Sequence, residues 1–313
     1  MGFMQSKDYP DSGVRDNSGI ASVVQHVVYI SAPIRHGLRM SGIFSPEDVE
    51  RYHADGFLIR RGLFSADEIE RLGSTARADH ALDQAAVARD DGEGNKVRLS
   101  LWNHPGEGIY GMVARCHRVV DSVEQLIGGE VYHYHSKMIL KDARTGGAWA
   151  WHQDYGYWYQ NGLLFPDLCS VMIAVDAATR ENGCLEVLKG SHRMGRVNHV
   201  LSGDQAGADR ERVAEAEKRL EKVYCEMAPG DAIFFHANTL HGSGPNHSEN
   251  PRWAMICCYN AASNDPYKES HHPGYTPLSK VDDSAVLGAT GTGVEFADLA
   301  RGDRSASTLA EQR

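Results

Sequence analysis

The sequence predicts a mainly β protein, an antiparallel sandwich or jelly roll with flanking helices packed on one face. Two observations carry this reading. After Gly129 the hydrophobic pattern changes from three- and four-residue spacing to alternation. Short strand-like runs then follow one another, separated by turn signals such as Gly146-Gly147, Glu181-Asn182-Gly183 and Pro229-Gly230-Asp231.

The elements are justified in order. Residues 1–41 are poor in pattern and read as an extension. Ser45-Pro46-Glu47-Asp48 supplies an N-cap serine, a proline at the first helical position and an acid at the third, so a helix runs to about Ala54, where Gly56 stops it. Phe57 to Ile59 reads as a short strand. Ser65-Ala66-Asp67-Glu68 opens a second helix, expected to reach about Asp90, with a polar loop to Lys96. Met112, Val113, Cys116, Val119, Val120, Val123 and Ile127 place a third helix over 109–127. Strands are expected at 131–140, 148–154, 168–175, 184–188, 223–227, 232–235 and 253–259. A charged surface helix fits 204–220, residues 42–279 form one domain, and residues 280–313 read as a polar tail.

The chain has 313 residues and a net charge of −10, from 42 acidic and 32 basic side chains. That balance repels nucleic-acid phosphates and anionic lipid rather than recruiting them. No apolar run approaches the roughly 18 residues of a membrane span, and the stretch from Ile20 to Ile34 has no clear small-residue cleavage site. A soluble, cytoplasmic protein acting on a small molecule, without nucleic-acid or membrane partners, is expected. The six cysteines lack metal-site spacing and lie mostly in apolar runs, the pattern of buried free thiols in a reducing compartment.

Sixteen histidines stand out, since imidazole is both a metal ligand and a proton carrier. Two His-x-Asp pairs occur. His53-Ala54-Asp55 closes a helix before Gly56, where residues two apart diverge. His152-Gln153-Asp154 follows the strand-like Trp149-Ala150-Trp151, and on a strand residues i and i+2 share a face. A third ligand could come from His192, His199, His236, His241, His247, His271 or His272, with His236 and His241 in the late strand-like run from Ala232 to His241. Two histidines and a carboxylate with open positions suit non-haem Fe(II), and zinc takes similar ligands. Arg252 shares a strand face with Ala254, Ile256 and Cys258; it meets either an anionic ligand or Asp231 or Glu249 at the rim.

Taken together, His152-Gln-Asp154, the run Glu181-Asn-Gly-Cys-Leu-Glu-Val-Leu-Lys-Gly-Ser-His192, Pro229-Gly-Asp231, His241-Gly-Ser243 and Arg252 resemble the phytanoyl-CoA dioxygenase (PhyH) family, which includes ectoine hydroxylase. The resemblance spans about residues 42–275. It implies a double-stranded β-helix (cupin-like) enzyme using Fe(II), 2-oxoglutarate and O2, with His152, Asp154 and His241 as iron ligands. Arg252 and Ser243 then match the residues that bind the distal carboxylate of 2-oxoglutarate. The implied reaction hydroxylates an unactivated C–H of a small polar metabolite and releases succinate and CO2. Halogenating relatives replace the carboxylate ligand by a small residue, so Asp154 favours hydroxylation. His135 and Lys137, on the strand over 131–141, and Trp158, six residues after His152, match pocket positions. A metal-dependent hydrolase or isomerase on a cupin-like barrel, or a non-catalytic jelly-roll binding module, are the other readings.

Overall fold

A computed structural model describes residues 42–202 and 205–297. Reciprocal capping starts the first two helices. The Ser45 hydroxyl accepts the Asp48 N–H while the Asp48 carboxylate accepts the Ser45 N–H, opening α1 (Pro46–Asp55), and Gly56 closes it at φ +85°. Ser65 and Glu68 repeat the device at α2 (Ala66–Ala78), after β1 (Phe57–Arg60).

The long helix expected from Ser65 to Asp90 is broken. Asp79 leaves helical geometry at ψ 94° and its carboxylate caps α3 (His80–Ala85) through the Ala81 and Leu82 N–H groups. The chain then forms a hairpin, β2 (Val87–Asp90) and β3 (Lys96–Trp102). The helix expected over 109–127 is likewise two, α4 (Ile109–Arg115) and α5 (His117–Ile127). Cys116 between them is extended, because the Arg115 carbonyl and His117 N–H bond the backbone of Val281.

The remaining strands are β4 (Val131–Lys141), β5 (Trp149–His152), β6 (Leu168–Ala174), β7 (Leu185–Leu188), β8 (His199–Ser202), β9 (Gln205–Ala208), β10 (Lys222–Cys225), β11 (Ala232–His236), β12 (His241–Ser243) and β13 (Arg252–Ala261), with helices α6 (Asp154–Trp158), α7 (Arg210–Glu217) and α8 (Ala285–Gly288). A seven-stranded antiparallel sheet runs β1-β11-β6-β13-β4-β3-β2, a four-stranded sheet runs β10-β7-β12-β5, and β8 and β9 pair separately.

Central strands of the large sheet are apolar on both faces because both are covered. Val171, Ile173, Phe234, Met255 and Cys257 pack with Leu72, Val119 and Val123 of the helices. Their alternates Met172, Ala174, Ile233, Phe235, Ala254 and Ile256 meet Leu185 and Val187 of the small sheet. This is the two-sheet double-stranded β-helix with helices on one face. Packing does not stop near Lys280, where composition alone places a tail. Val286 is fully buried, Val294 and Phe296 lie against the helical core, and the Ala297 N–H donates to the Leu101 carbonyl. A few spaced apolar anchors hold a polar segment, and averaged composition hides them. The proposed extension over residues 1–41, and residues 298–313, lie outside the described residues.

Among the described residues no helix is long and apolar enough to cross a membrane. All six cysteines are free and buried.

Candidate metal centre

His152 ends β5 and His241 begins β12, and the antiparallel pairing of these strands sets them directly opposite each other, ring centroids 4.0 Å apart. Each imidazole donates its Nδ1–H to a carbonyl two residues earlier in its own chain, His152 to Ala150 at 2.8 Å and His241 to Thr239 at 2.8 Å. A carbonyl can only accept, so the proton sits on Nδ1 and the Nε2 lone pair is left for a ligand. Asp154 reaches the same point by a different route from the one expected. It lies on the first turn of α6, not on the strand, because Gln153 turns the chain: its amide donates to the Gly195 and Asn238 carbonyls and its oxygen accepts the Val197 N–H. Asp154 Oδ2 accepts the Ser170 hydroxyl at 2.7 Å, which leaves Oδ1 3.9 Å from His152 Nε2 and 4.0 Å from His241 Nε2.

All three side chains are buried, and their ligand atoms lie within 4.8 Å of one another. Burial holds both imidazoles below their usual range, His152 well below it, so they are neutral. Burial alone raises a carboxyl, but Lys137 and the Ser170 hydroxyl outweigh it and hold Asp154 ionised. Two neutral nitrogens and one carboxylate oxygen on one side of a point are the donor set that suits a divalent first-row metal with open positions.

Behind this point lies a buried pair of basic side chains. Arg252, 3% exposed, is the register partner of fully buried Lys141 across β13 and β4. Neither partner anticipated at the rim reaches Arg252: Asp231 pairs with Arg61 at 2.7 Å, and Glu249 pairs with Arg144. Among the described residues Arg252 donates only to the Gly183 carbonyl, at 2.8 Å, and its Nε has no partner. Lys141 donates to Ser243 Oγ at 2.9 Å and to the carbonyls of Gly183 and Gly244, all neutral acceptors. Two basic groups buried together without a carboxylate can both be charged only at a cost, and an anion between them would remove it. Gly183, at φ +74°, is what lets the loop come this close: an added Cβ falls 2.2 Å from the Gly244 carbonyl and 2.8 Å from Lys141 Nζ. Gly183→Ala is expected to lower stability by about 2 kcal/mol or more, read as an earlier midpoint in urea unfolding.

A cavity of about 300 Å³ joins the three candidate ligands to Ser243 and Arg252. His135, Lys137 and Trp158 line it as well. His236 does not; its Nδ1 accepts the Asn238 N–H, on the side of His192. Of the inward face of β4, His133 is taken up by Ser136 and the Asn103 carbonyl and lies outside the cavity lining. Residues that sequence reasoning passed over are Lys141 as a partner of Arg252, Gln153 as the turn that swings Asp154 inward, and the cavity wall from Val97, Leu99 and Leu101. The last had a readable signal, since Lys96 to Trp102 alternates like a half-buried strand.

Two facing antiparallel sheets with a His-x-Asp pair and a distal histidine converging between them define the double-stranded β-helix class of metal-dependent oxygenases. Residues 52–254 match the family described as phytanoyl-CoA dioxygenase (PhyH), and the chain belongs to that family of 2-oxoglutarate-dependent dioxygenases. It is 29% identical over 258 residues to L-proline trans-4-hydroxylase of Streptomyces griseoviridis, covering 76% of this chain and 92% of that protein. Its fold is similar to that of EctD from S. alaskensis solved with bound Fe, at 26% identity and a TM-score of 0.66, covering 80% of this chain and 92% of the other. EctD with 2-oxoglutarate and 5-hydroxyectoine is similar at 27% identity and a TM-score of 0.65, covering 82% and 91%.

Proposed function

We propose that this protein is an Fe(II)- and 2-oxoglutarate-dependent hydroxylase of a small polar metabolite, with His152, Asp154 and His241 holding the metal. Arg252 and Ser243 hold the distal carboxylate of 2-oxoglutarate, and His135, Lys137 and Trp158 face the substrate. The observation that carries the reading is one cavity joining a two-histidine, one-carboxylate cluster to a buried arginine that has no acid to pair with among the described residues. The EctD structures with bound Fe and with 2-oxoglutarate support it.

Iron(II), when bound, supplies the oxygen-activating chemistry in which 2-oxoglutarate becomes succinate and CO2 and a substrate C–H becomes C–OH. The chain's own residues do the rest. The backbone carbonyls of Ala150 and Thr239 hold both imidazoles in the ligand tautomer, and Ser170 keeps Asp154 Oδ1 turned to the same point. Arg252 offers a planar fork to a carboxylate, and apolar walls keep bulk water from the reacting centre. A reducing compartment belongs to the same reading, supported by six buried free thiols. The test is succinate release from 2-oxoglutarate in air with Fe(II): turnover with Fe(II) and none with Zn(II) is expected, and metal-independent or zinc-supported turnover overturns the assignment.

The clamp also predicts a pH dependence. Burial, with Arg252 beside it, pushes Lys141 down to about 6, while Cys184, Glu186 and Asp91 pull the other way. Below that pH the ammonium is already charged, and affinity for 2-oxoglutarate is flat. Above it a proton must be taken up with the dianion, so the dissociation constant rises with pH by up to about tenfold per unit. Lys141→Met is expected to flatten that slope and to weaken binding at pH 6 by about tenfold, measured by calorimetry on the metal-loaded protein without O2.

A further inference from the structure

His199, one of the histidines that could have completed the metal cluster, takes no part in it. It begins β8, and β8 and β9 form a two-stranded ribbon that joins neither of the main sheets. The ribbon's hydrogen bonds run instead to the segment that carries His152 and Asp154.

β5 is the edge strand of the small sheet, and an edge leaves backbone groups with no strand to pair with. Gln205, 3% exposed at the start of β9, takes that place with its side chain. Its Oε1 accepts the Ala150 N–H at 2.8 Å, and its Nε2 donates to the Ala148 carbonyl at 3.0 Å. Gly207 lies close on the same strand, since an added Cβ would stand 3.0 Å from the Trp151 carbonyl oxygen and 3.2 Å from Ala150 Cβ. Tyr157 of α6 donates its hydroxyl to the Ala206 carbonyl. Gln205 and Ala206 also line the cavity, so the ribbon borders the substrate space while it holds the ligand segment.

At the turn between the two candidate ligands, His199 Nε2 accepts the Gln153 N–H at 3.1 Å. That bond fixes the peptide plane joining His152 to Gln153, while the Gln153 side chain is tied to Gly195, Val197 and Asn238. Held on both sides, Gln153 stays extended at φ −115° and ψ 133°, and the chain enters α6 with Asp154 turned to the metal point.

Two observations separate this contact from ordinary packing. The imidazole is buried against the Tyr157 ring, centroids 4.6 Å apart, and burial pushes it down to about 4, so it is neutral. With Nε2 accepting, its proton sits on Nδ1, and Nδ1 has no partner. A buried donor without an acceptor is destabilising. A leucine or phenylalanine would fill the space without that cost, so what sets histidine apart here is the lone pair it offers to Gln153. The second observation is Gly156, where an added Cβ would fall 1.9 Å from His199 Cε1. Gly156 lies within α6, where alanine is the better helix former, and its missing side chain is what seats the imidazole.

We propose that His199 is a positioning residue for the metal centre: through the Gln153 N–H it fixes the turn that sets Asp154 beside His152, with the β8–β9 ribbon as its support. The inference rests on the metal-centre reading and goes beyond it by giving a role to a residue outside the three ligands.

The test titrates the full-length protein with Co(II), whose visible absorption reports both affinity and coordination geometry without turnover. His199→Leu is expected to weaken Co(II) binding by about tenfold, the size typical of removing a group that orients a ligand, and to alter the band. His199→Gln, whose Oε1 can accept the same N–H, should recover most of the affinity. The urea midpoint of the metal-free protein should move little in His199→Leu, because an orphaned Gln153 N–H replaces the orphaned Nδ1–H. Gly156→Ala should also lower Co(II) affinity, and adding it to His199→Leu should cost little more, since both act through one contact. A wild-type affinity and band in His199→Leu, equal losses in His199→Leu and His199→Gln, or fully additive losses in the double variant would overturn the positioning role and leave the metal centre standing. A wild-type protein that binds no Co(II), or binding that is unchanged in His152→Ala, removes both.

Discussion

His152→Ala is expected to reduce succinate formation about a thousandfold or more, the equivalent of about 4 kcal/mol of lost transition-state stabilisation. The reason is geometric. His152 and His241 face each other across one strand pair, and each has its Nδ1 proton committed to the carbonyl two residues before it, so the remaining imidazole has only its Nε2 to offer. His199, another buried imidazole, already accepts the Gln153 N–H through Nε2 at 3.1 Å. The substitution leaves the sheet hydrogen bonds of β5 and β12 in place, so circular dichroism should be unchanged while bound iron, measured by metal analysis after dialysis, falls below stoichiometric. Retention of both iron and turnover would remove His152 from the ligand set.

Arg252→Met is expected to weaken 2-oxoglutarate binding by roughly a hundredfold, the range of about 3 kcal/mol seen when one side of a buried charge contact is removed. The effect should fall on KM for 2-oxoglutarate far more than on kcat at saturation, because in the proposed binding mode the guanidinium holds the distal carboxylate and not the reacting carbon. Arg252→Lys should recover only part of the loss, since an ammonium cannot reproduce the planar fork. The free protein should tolerate the change: burial pulls Arg252 down to about 10, a sign that its charge is uncomfortable without a ligand, and replacing an unpaired buried charge by an apolar side chain is often stabilising. An unchanged dissociation constant by calorimetry would move the co-substrate elsewhere in the cavity.

Much of the architecture was legible because it rests on local chemistry. Ser45 and Ser65 announce helix starts, Gly56 announces a stop, and the alternation of β6, β11 and β13 survives as two buried faces. Where local rules failed, a distant segment had intervened. The break at Cys116 exists because Val281, far along the chain, bonds the backbone on either side of it. Asp79 ends one helix because its carboxylate serves the next better, a choice that helical periodicity does not register.

The sequence by itself determined which residues could carry this chemistry: a strand-end His-x-Asp, a later His-Gly-Ser and an arginine eleven residues beyond. Only the tertiary structure decided how they are used. Pairing of β5 with β12 brought together histidines 152 and 241, the hydrogen bonds of Gln153 swung Asp154 in from a helix rather than a strand, and the commitment of Asp231 to Arg61 and of Glu249 to Arg144 kept both acids away from Arg252. The physical reason is that a side chain's type is written in the chain, whereas its partners are set by competition among all the groups that folding brings within reach.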